Sequence, residues 1–213
     1  MVVKPSPSRQ RSRELFESIS ILSGLIAFIW ITVGVIVAAK FYPNYNHNEQ
    51  FCSELGAVGS PTQKLSPMIN NYPLGALFCL FGWAIFQHSD SSVLLATTGW
   101  LVILHGIGTW VAGMFPMDKD PYTRSPSLSC QIHSWAGFIM LLSLLIAPIL
   151  VAFSSLPAAF RAFSLVSVIV AVYYLVKMAQ AVKLQKHVGR YQRLSYWAKL
   201  LWLAGLSLLL WNA

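Results

Sequence analysis

Residues 18–42 read SISILSGLIAFIWITVGVIVAAKFY, with one charged residue, Lys40, close to the end. About 20 apolar residues in an α-helix cross the hydrocarbon core of a bilayer, so this run predicts a membrane-spanning helix. Five more apolar runs follow, at roughly residues 68–87, 92–115, 131–153, 157–181 and 194–212. None of them alternates polar and apolar residues as a strand of an outer-membrane barrel does. The expected fold class is all-α: a polytopic membrane protein with a bundle of six transmembrane helices.

The composition supports the same class. The 213 residues are 56% hydrophobic and only 10% charged, whereas a soluble domain has about 25% charged residues. The net charge of +8 comes from basic residues that flank the apolar runs, which is how membrane proteins meet lipid headgroups. We therefore expect membrane lipids and no nucleic acid as partners, while the oligomeric state stays open. The expected organisation is a basic tail, 1–17, and one six-helix domain, 18–213, in a bacterial inner membrane.

The basic residues give conflicting signals about orientation in the membrane. One group precedes the first helix and another follows the fifth, and six crossings place these groups on opposite faces. Both groups favour the cytoplasm, and the first helix usually dominates, so we expect a cytoplasmic N-terminus. We expect the second group to face lipid headgroups. The groups are Lys4, Arg9, Arg11 and Arg13, then Lys183, Lys186, Arg190 and Arg193.

The long links after the first and third helices carry most of the polar chemistry. Six crossings bring the links after the first, third and fifth helices to one membrane face. Four of the seven acids fall in these links, and two histidines and two cysteines lie in or beside them. We expect them to form one polar cluster that binds or handles a lipid or a small amphiphile. The residues are Glu49, Glu54, Asp118, Asp120, His47, His133, Cys52 and Cys130.

Three of these residues, Glu54, Asp118 and His133, stand at helix ends where a bundle would bring them together. Carboxylates and imidazoles are zinc ligands and general acids or bases, so the three are candidates for a metal or catalytic site. Ser53 is a candidate nucleophile beside them. The alternative is structural, because each of the three also suits a helix cap, a turn or a bond to a neighbouring loop.

His105 lies within the third apolar run, ten residues before Phe115 and therefore about 15 Å deeper in the membrane. An ionisable residue at that depth is a functional candidate, so His105 joins the possible metal and ligand-binding residues, with His47, Glu49 and Asp120 as the other ligand-binding candidates. The alternative is a neutral histidine bonded to another helix.

The order of three short motifs resembles the DUF998 family of predicted six-helix membrane proteins. The motifs are Ser53-Glu54-Leu55-Gly56, the stretch from Gly113 to Asp118, and the stretch from His133 to Gly137. The resemblance covers nearly the whole chain and implies the six-helix architecture. It implies no activity, because the family is uncharacterised.

Two classes of function therefore remain. In one, the protein binds, transports or has a structural role, and the polar cluster is a latch between loops. In the other, it is a metal-assisted membrane hydrolase acting on a lipid. The inventory is loosely similar to that of alkaline ceramidases and adiponectin-receptor-like proteins, but the fifth and sixth helices contain none of the expected histidines.

Two further patterns make structural predictions. Cys52 and Cys130 flank the long links, so a disulfide between them is one prediction and two free thiols are the alternative. Gly99, Gly106 and Gly113 recur every seven residues, which favours close packing of the third helix against a neighbour.

Overall fold

The computed structural model describes residues 6–212, which form six long helices and no strand. The helices are α1 (Pro7–Lys40), α2 (Tyr72–Gln87), α3 (Val93–Met114), α4 (Leu128–Ala152), α5 (Ala158–Leu184) and α6 (Val188–Trp211). A short 3-10 turn, Cys52–Gly56, and a π-helical turn, Pro67–Asn71, lie between α1 and α2. All six long elements, with the π turn extending α2, are apolar enough to cross a membrane. The expected all-α, six-span architecture is confirmed.

Helix α1 begins eleven residues earlier than the apolar run predicted. Residues 7–17 were expected to be a tail, yet they are helical; residues 1–5 lie outside the described chain. A proline at the start and the helix-forming Arg, Glu and Leu residues that follow explain this start. The 34 residues of α1 reach about 51 Å, well beyond a hydrocarbon core of about 30 Å. The first turns of α1 therefore reach the headgroup layer. Helix α6 likewise begins at residue 188 instead of 194.

The six helices form a closed ring, because each packs on its neighbour in sequence and α6 packs on α1. The ring is filled by large apolar side chains that are fully buried. The largest of them are Trp202, Phe78, Phe81, Leu144 and Leu200. Helix α5 is the most peripheral, with 17% of its apolar window buried against 33–44% in the other helices. Most of its exposed side chains are apolar and suit contact with lipid.

The glycines of α3 form its contact with α2, as their seven-residue spacing predicted. A Cβ atom on Gly99 would lie 2.7 Å from the carbonyl oxygen of Gly82, and one on Gly106 would lie 2.7 Å from that of Gly75. Since an ordinary contact is well over 3 Å, the two backbones could not approach this closely with larger residues. The absence of side chains brings α2 and α3 into backbone contact.

The links 41–66, 115–127 and 185–187 lie together on one face, which we call the loop face. The Val58 N–H donates to the Met117 carbonyl at 2.9 Å, joining the first link to the second. The Arg190 N–H donates to the Asn48 carbonyl at 2.9 Å, joining the first link to the start of α6. The opposite, N-terminal face carries the start of α1 and the short turns after α2 and α4.

Candidate functional site

On the loop face, Arg193 of α6 holds the first link against the bundle. Its guanidinium donates hydrogen bonds to the carbonyls of His47, Gln50 (2.9 Å) and Gly189 (3.0 Å), and to the Tyr45 hydroxyl (2.6 Å). The group also lies over the Tyr45 ring, 5.8 Å from its centre. Arg193 was expected to face lipid headgroups with its basic neighbours, and that expectation is wrong for this residue. A planar fork of donors suits several carbonyl acceptors at once, which explains the difference.

A second contact, between Glu49 and His187, fixes the same link. One Glu49 oxygen accepts the His187 backbone N–H at 2.7 Å, and the other lies 2.7 Å from the His187 Nδ1 atom. His187 has a left-handed backbone, with φ of 60°, which turns its N–H towards the link. We call the contacts of Arg193 and His187 with residues 45–50 the loop latch.

The environment of the loop latch favours the uncharged forms of His47 and Tyr45. Burial, with the Arg193 charge as a smaller cause, lowers the pKa of His47 below its ordinary value. Burial is also the main reason why the pKa of Tyr45 is raised well above its ordinary value. Of the candidate ligand-binding residues, Glu49 binds His187 through its carboxylate, whereas His47 is bound through its backbone carbonyl and its ring packs edge-on against Tyr45.

Two of the candidate metal ligands, Glu54 and Asp118, cap short stretches of backbone. Glu54 accepts the Phe51 N–H at 2.7 Å and the Gln50 side-chain amide at 3.0 Å, which closes the 3-10 turn. Asp118 accepts the Ser127 hydroxyl at 2.6 Å and its N–H at 2.8 Å, at the start of α4. The hydrogen bonds from Ser127 lower the pKa of Asp118. Both carboxylates therefore have the structural role that was the alternative at these positions.

His133, the third candidate ligand, bonds to the end of α3. Its Nδ1 atom lies 3.0 Å from the Ala112 carbonyl and 2.9 Å from the Phe115 carbonyl, so it donates to the last free acceptors of that helix. Across residues 6–212, no three His, Cys, Asp or Glu side chains lie close enough to hold a metal ion. The predicted zinc ligands are not gathered, because each has its own backbone partners.

The two remaining candidates on the loop face are Asp120, a possible ligand-binding residue, and Ser53, a possible nucleophile. Asp120 accepts the Tyr122 N–H at 2.9 Å and closes a tight turn. Ser53 lies half-buried in the 3-10 turn, beside Glu54.

The cysteines are free thiols, so the expected disulfide between Cys52 and Cys130 is not formed. Cys130 packs with Ala57 and Met117, whereas the Cys52 N–H bonds to the Gln192 side chain of α6 at 2.8 Å. The two cysteines thus have different neighbours. Burial raises the pKa of the Cys52 thiol and keeps it protonated.

A different polar group lies inside the ring, around His105. Its Nδ1 atom lies 2.9 Å from the Met140 carbonyl, which can only accept, so Nδ1 carries the proton. The Nε2 atom then accepts the Tyr196 hydroxyl at 3.3 Å. Ser143 lies 3.3 Å from the same ring, and Phe78 packs edge-on against it at 4.7 Å. His105 is 1% exposed and joins α3, α4 and α6 as a neutral histidine, which was the structural alternative.

Lys199 lies beside this group and was missed by the sequence analysis. It is 5% exposed, and its Nζ atom lies 5.5 Å from the centre of the Tyr196 ring. Among residues 6–212 it has no hydrogen bond and no ion pair. It follows the start of α6 by eleven residues, about 16 Å along the helix. The signal was present in the sequence: Lys199 is the one charged residue in the run 194–212.

The chain itself supplies no acid at the depth of Lys199. All seven acidic residues lie in α1 or in links between helices, and none lies in α2 to α6. They are Glu14, Glu17, Glu49, Glu54, Asp90, Asp118 and Asp120. We call His105, Ser143, Tyr196 and Lys199 the intramembrane cluster. The cluster contains a histidine whose two ring nitrogens both have hydrogen-bond partners, and a lysine that has no anionic partner among the described residues.

The helices and this cluster define a multi-pass membrane protein with a six-helix ring around a polar interior group. Residues 25–209 match the family described as "Protein of unknown function (DUF998)", and the chain belongs to that family. Comparison with curated proteins and with solved structures gave no significant match.

Proposed function

We propose that the protein binds an amphiphile with an acidic headgroup, of the fatty-acid class, and that Lys199 in the intramembrane cluster holds the headgroup. The observation that carries this proposal is the buried Lys199 side chain without an anionic partner. Ionisable residues inside a membrane bundle are rare and usually serve a substrate or ion path.

The energetics favour a carboxylate from outside the chain. An unpaired ammonium in a low-dielectric interior costs several kcal/mol, and pairing with an anion offsets much of that. The face of Tyr196 contributes only about 0.5–2 kcal/mol. No carboxylate side chain lies in α2 to α6, and an amphiphile can supply one from the surrounding bilayer, where its chain stays among apolar groups.

The loop latch supports a binding protein more than a metal-assisted hydrolase. Arg193 and Glu49 bind backbone groups across the latch, so the link between α1 and α2 covers the loop face as a fixed cap. The hydrolase alternative would need Glu54, Asp118 and His133 to leave their present partners and gather around a metal.

Binding of dodecanoate to the purified protein tests the proposal. The full chain in nanodiscs of zwitterionic lipid is titrated with dodecanoate, and with dodecanol as the uncharged comparison. Replacing Lys199 by Met removes the cation and keeps an unbranched side chain. Losing one charge-assisted contact costs about 1.5–3 kcal/mol of binding free energy, so dodecanoate affinity should fall roughly tenfold to a hundredfold. Dodecanol affinity should change less than twofold by the same reasoning.

The matched control is Lys177→Met. Lys177 also lies over a tyrosine one turn before it, at 5.8 Å from the Tyr173 ring, but on the peripheral helix α5. This variant should bind dodecanoate like the wild type, and Lys199→Arg should retain most of the binding because the charge is kept. Unchanged dodecanoate affinity in Lys199→Met overturns the proposal. An equal loss in Lys177→Met, or no binding by the wild type, overturns it as well.

A further inference from the structure

A groove lies between α1 and α2 at the N-terminal face, on the opposite side of the membrane from the loop latch. It is half-open and encloses about 520 Å³, within the size range of pockets for small ligands. Its walls include Arg13, Phe16 and Glu17 from α1, and Trp83 and His88 from the end of α2. The first turns of α1 extend past the hydrocarbon core, so the groove stands at the level of lipid headgroups.

The groove holds both signs of charge. Arg13 and Glu17 are four residues apart on α1 and therefore neighbours on one side of the helix. The His88 Nε2 atom lies 3.3 Å from one Glu17 oxygen, while its Nδ1 atom donates to the Ala84 carbonyl at 2.8 Å. The Glu17 carboxylate thus lies beside His88 on the groove wall.

The apolar part of the groove is aromatic. Trp83 is 43% exposed and Phe16 is 52% exposed, both facing away from the core of the bundle. Tryptophan is enriched where the hydrocarbon meets the headgroups, and its ring attracts ammonium groups. One groove therefore combines a guanidinium for a phosphate, a carboxylate and an indole for an ammonium, and an apolar wall for the first acyl carbons.

We infer that this groove is a binding site for a zwitterionic glycerophospholipid. Arg13 binds the phosphate, and Glu17 and Trp83 bind the ammonium. The argument is charge complementarity: a phosphate and an ammonium joined in one headgroup match the two opposite charges that stand side by side on α1. The site is separate from Lys199 and does not depend on the function proposed above.

Native mass spectrometry of the full chain tests the inference. The protein is released in the gas phase from detergent micelles that contain equal amounts of phosphatidylethanolamine and phosphatidylglycerol. Both lipids carry a phosphate, but only the ethanolamine lipid carries an ammonium. The wild type should retain the ethanolamine lipid over the glycerol lipid by roughly threefold to fivefold, as expected for one exposed charge pair. Glu17→Gln should abolish this preference, and Arg13→Gln should lower the retention of both lipids.

Arg11→Gln is the matched control. Arg11 is two residues from Arg13, so it points to another side of α1 and does not line this groove. This variant should behave like the wild type, as should Lys199→Met. The inference is overturned if Glu17→Gln keeps the preference, or if Arg11→Gln lowers retention as much as Arg13→Gln does. The three exposed substitution sites on α1, and the buried site Lys199 on α6, can be checked for folding by thermal unfolding curves of the variants.

Discussion

Replacing Arg193 by Ala should release the link between α1 and α2 from the loop face. The guanidinium donates to three backbone carbonyls, those of His47, Gln50 and Gly189, and to the Tyr45 hydroxyl. Alanine leaves these acceptors without their donor, while the helices of the bundle keep their own packing. We therefore expect a local opening of residues 45–56 and a small change in the unfolding of the whole protein.

The size of the effect follows from the hydrogen bonds. A bond from a charged donor contributes about 1.5–3 kcal/mol, and such contributions do not add fully. Arg193 is half-buried, so water replaces part of what is lost. We take the net cost as about 3 kcal/mol, which raises the opening equilibrium of the link roughly a hundredfold. The opening equilibrium of Arg193→Lys should lie between those of the wild type and Arg193→Ala, because an ammonium keeps the charge and lacks the planar fork.

Hydrogen–deuterium exchange of the protein in nanodiscs measures this opening. The amides to follow are those of Cys52 and His187, which bond to Gln192 and Glu49. Arg190→Ala is the control, since it removes the same charge from an exposed side chain. Equal exchange in wild type and Arg193→Ala would refute the reasoning, and so would equal loss of protection in Arg190→Ala.

Three further outcomes are expected. Gly99→Ala should destabilise the protein by about 1–3 kcal/mol and lower its melting temperature, because the added Cβ would clash with the backbone of α2. Gly137→Ala has open space around it and should instead stabilise α4, by roughly 0.5–1 kcal/mol. Asp118→Asn should destabilise the protein at neutral pH. Since the Asp118 pKa is lowered, the difference from wild type should persist as the pH falls and vanish only below the usual aspartate value of about 3.9, in a pH series of unfolding curves. Cys52 and Cys130 should react with maleimide once the protein is denatured, with no reductant added. If they react only after reduction, the two cysteines form a disulfide and the free-thiol assignment is wrong.

Much of the fold could be predicted from the sequence. The apolar runs located all six spans, and the seven-residue spacing of glycines predicted close packing of α3. The ends of α1 and α6 were less accurate, because hydropathy measures what lipid tolerates and not where the backbone stops being helical. Residues 7–17 are polar and still helical, since their backbone bonds are internal to α1.

The candidate site was harder to predict. The sequence placed Glu54, Asp118 and His133 on one face, but their partners are backbone groups, which sequence spacing does not reveal. The latch residue Arg193 was assigned to lipid headgroups on its basic neighbourhood alone. Lys199 was passed over as one charge in an apolar run.

The sequence by itself determined the class of protein, the number of helices and the polar character of the loop face, because these follow from local composition and from the thickness of a bilayer. Only the tertiary structure decided which polar atoms meet. The carbonyls that Arg193 binds are up to 146 residues away in the chain, and His105 reaches Tyr196 across 91 residues. Pairings at such separations depend on how six helices pack around one another. In a bilayer that packing rests on close van der Waals contact and on hydrogen bonds between helices, which the order of residues within one helix does not specify.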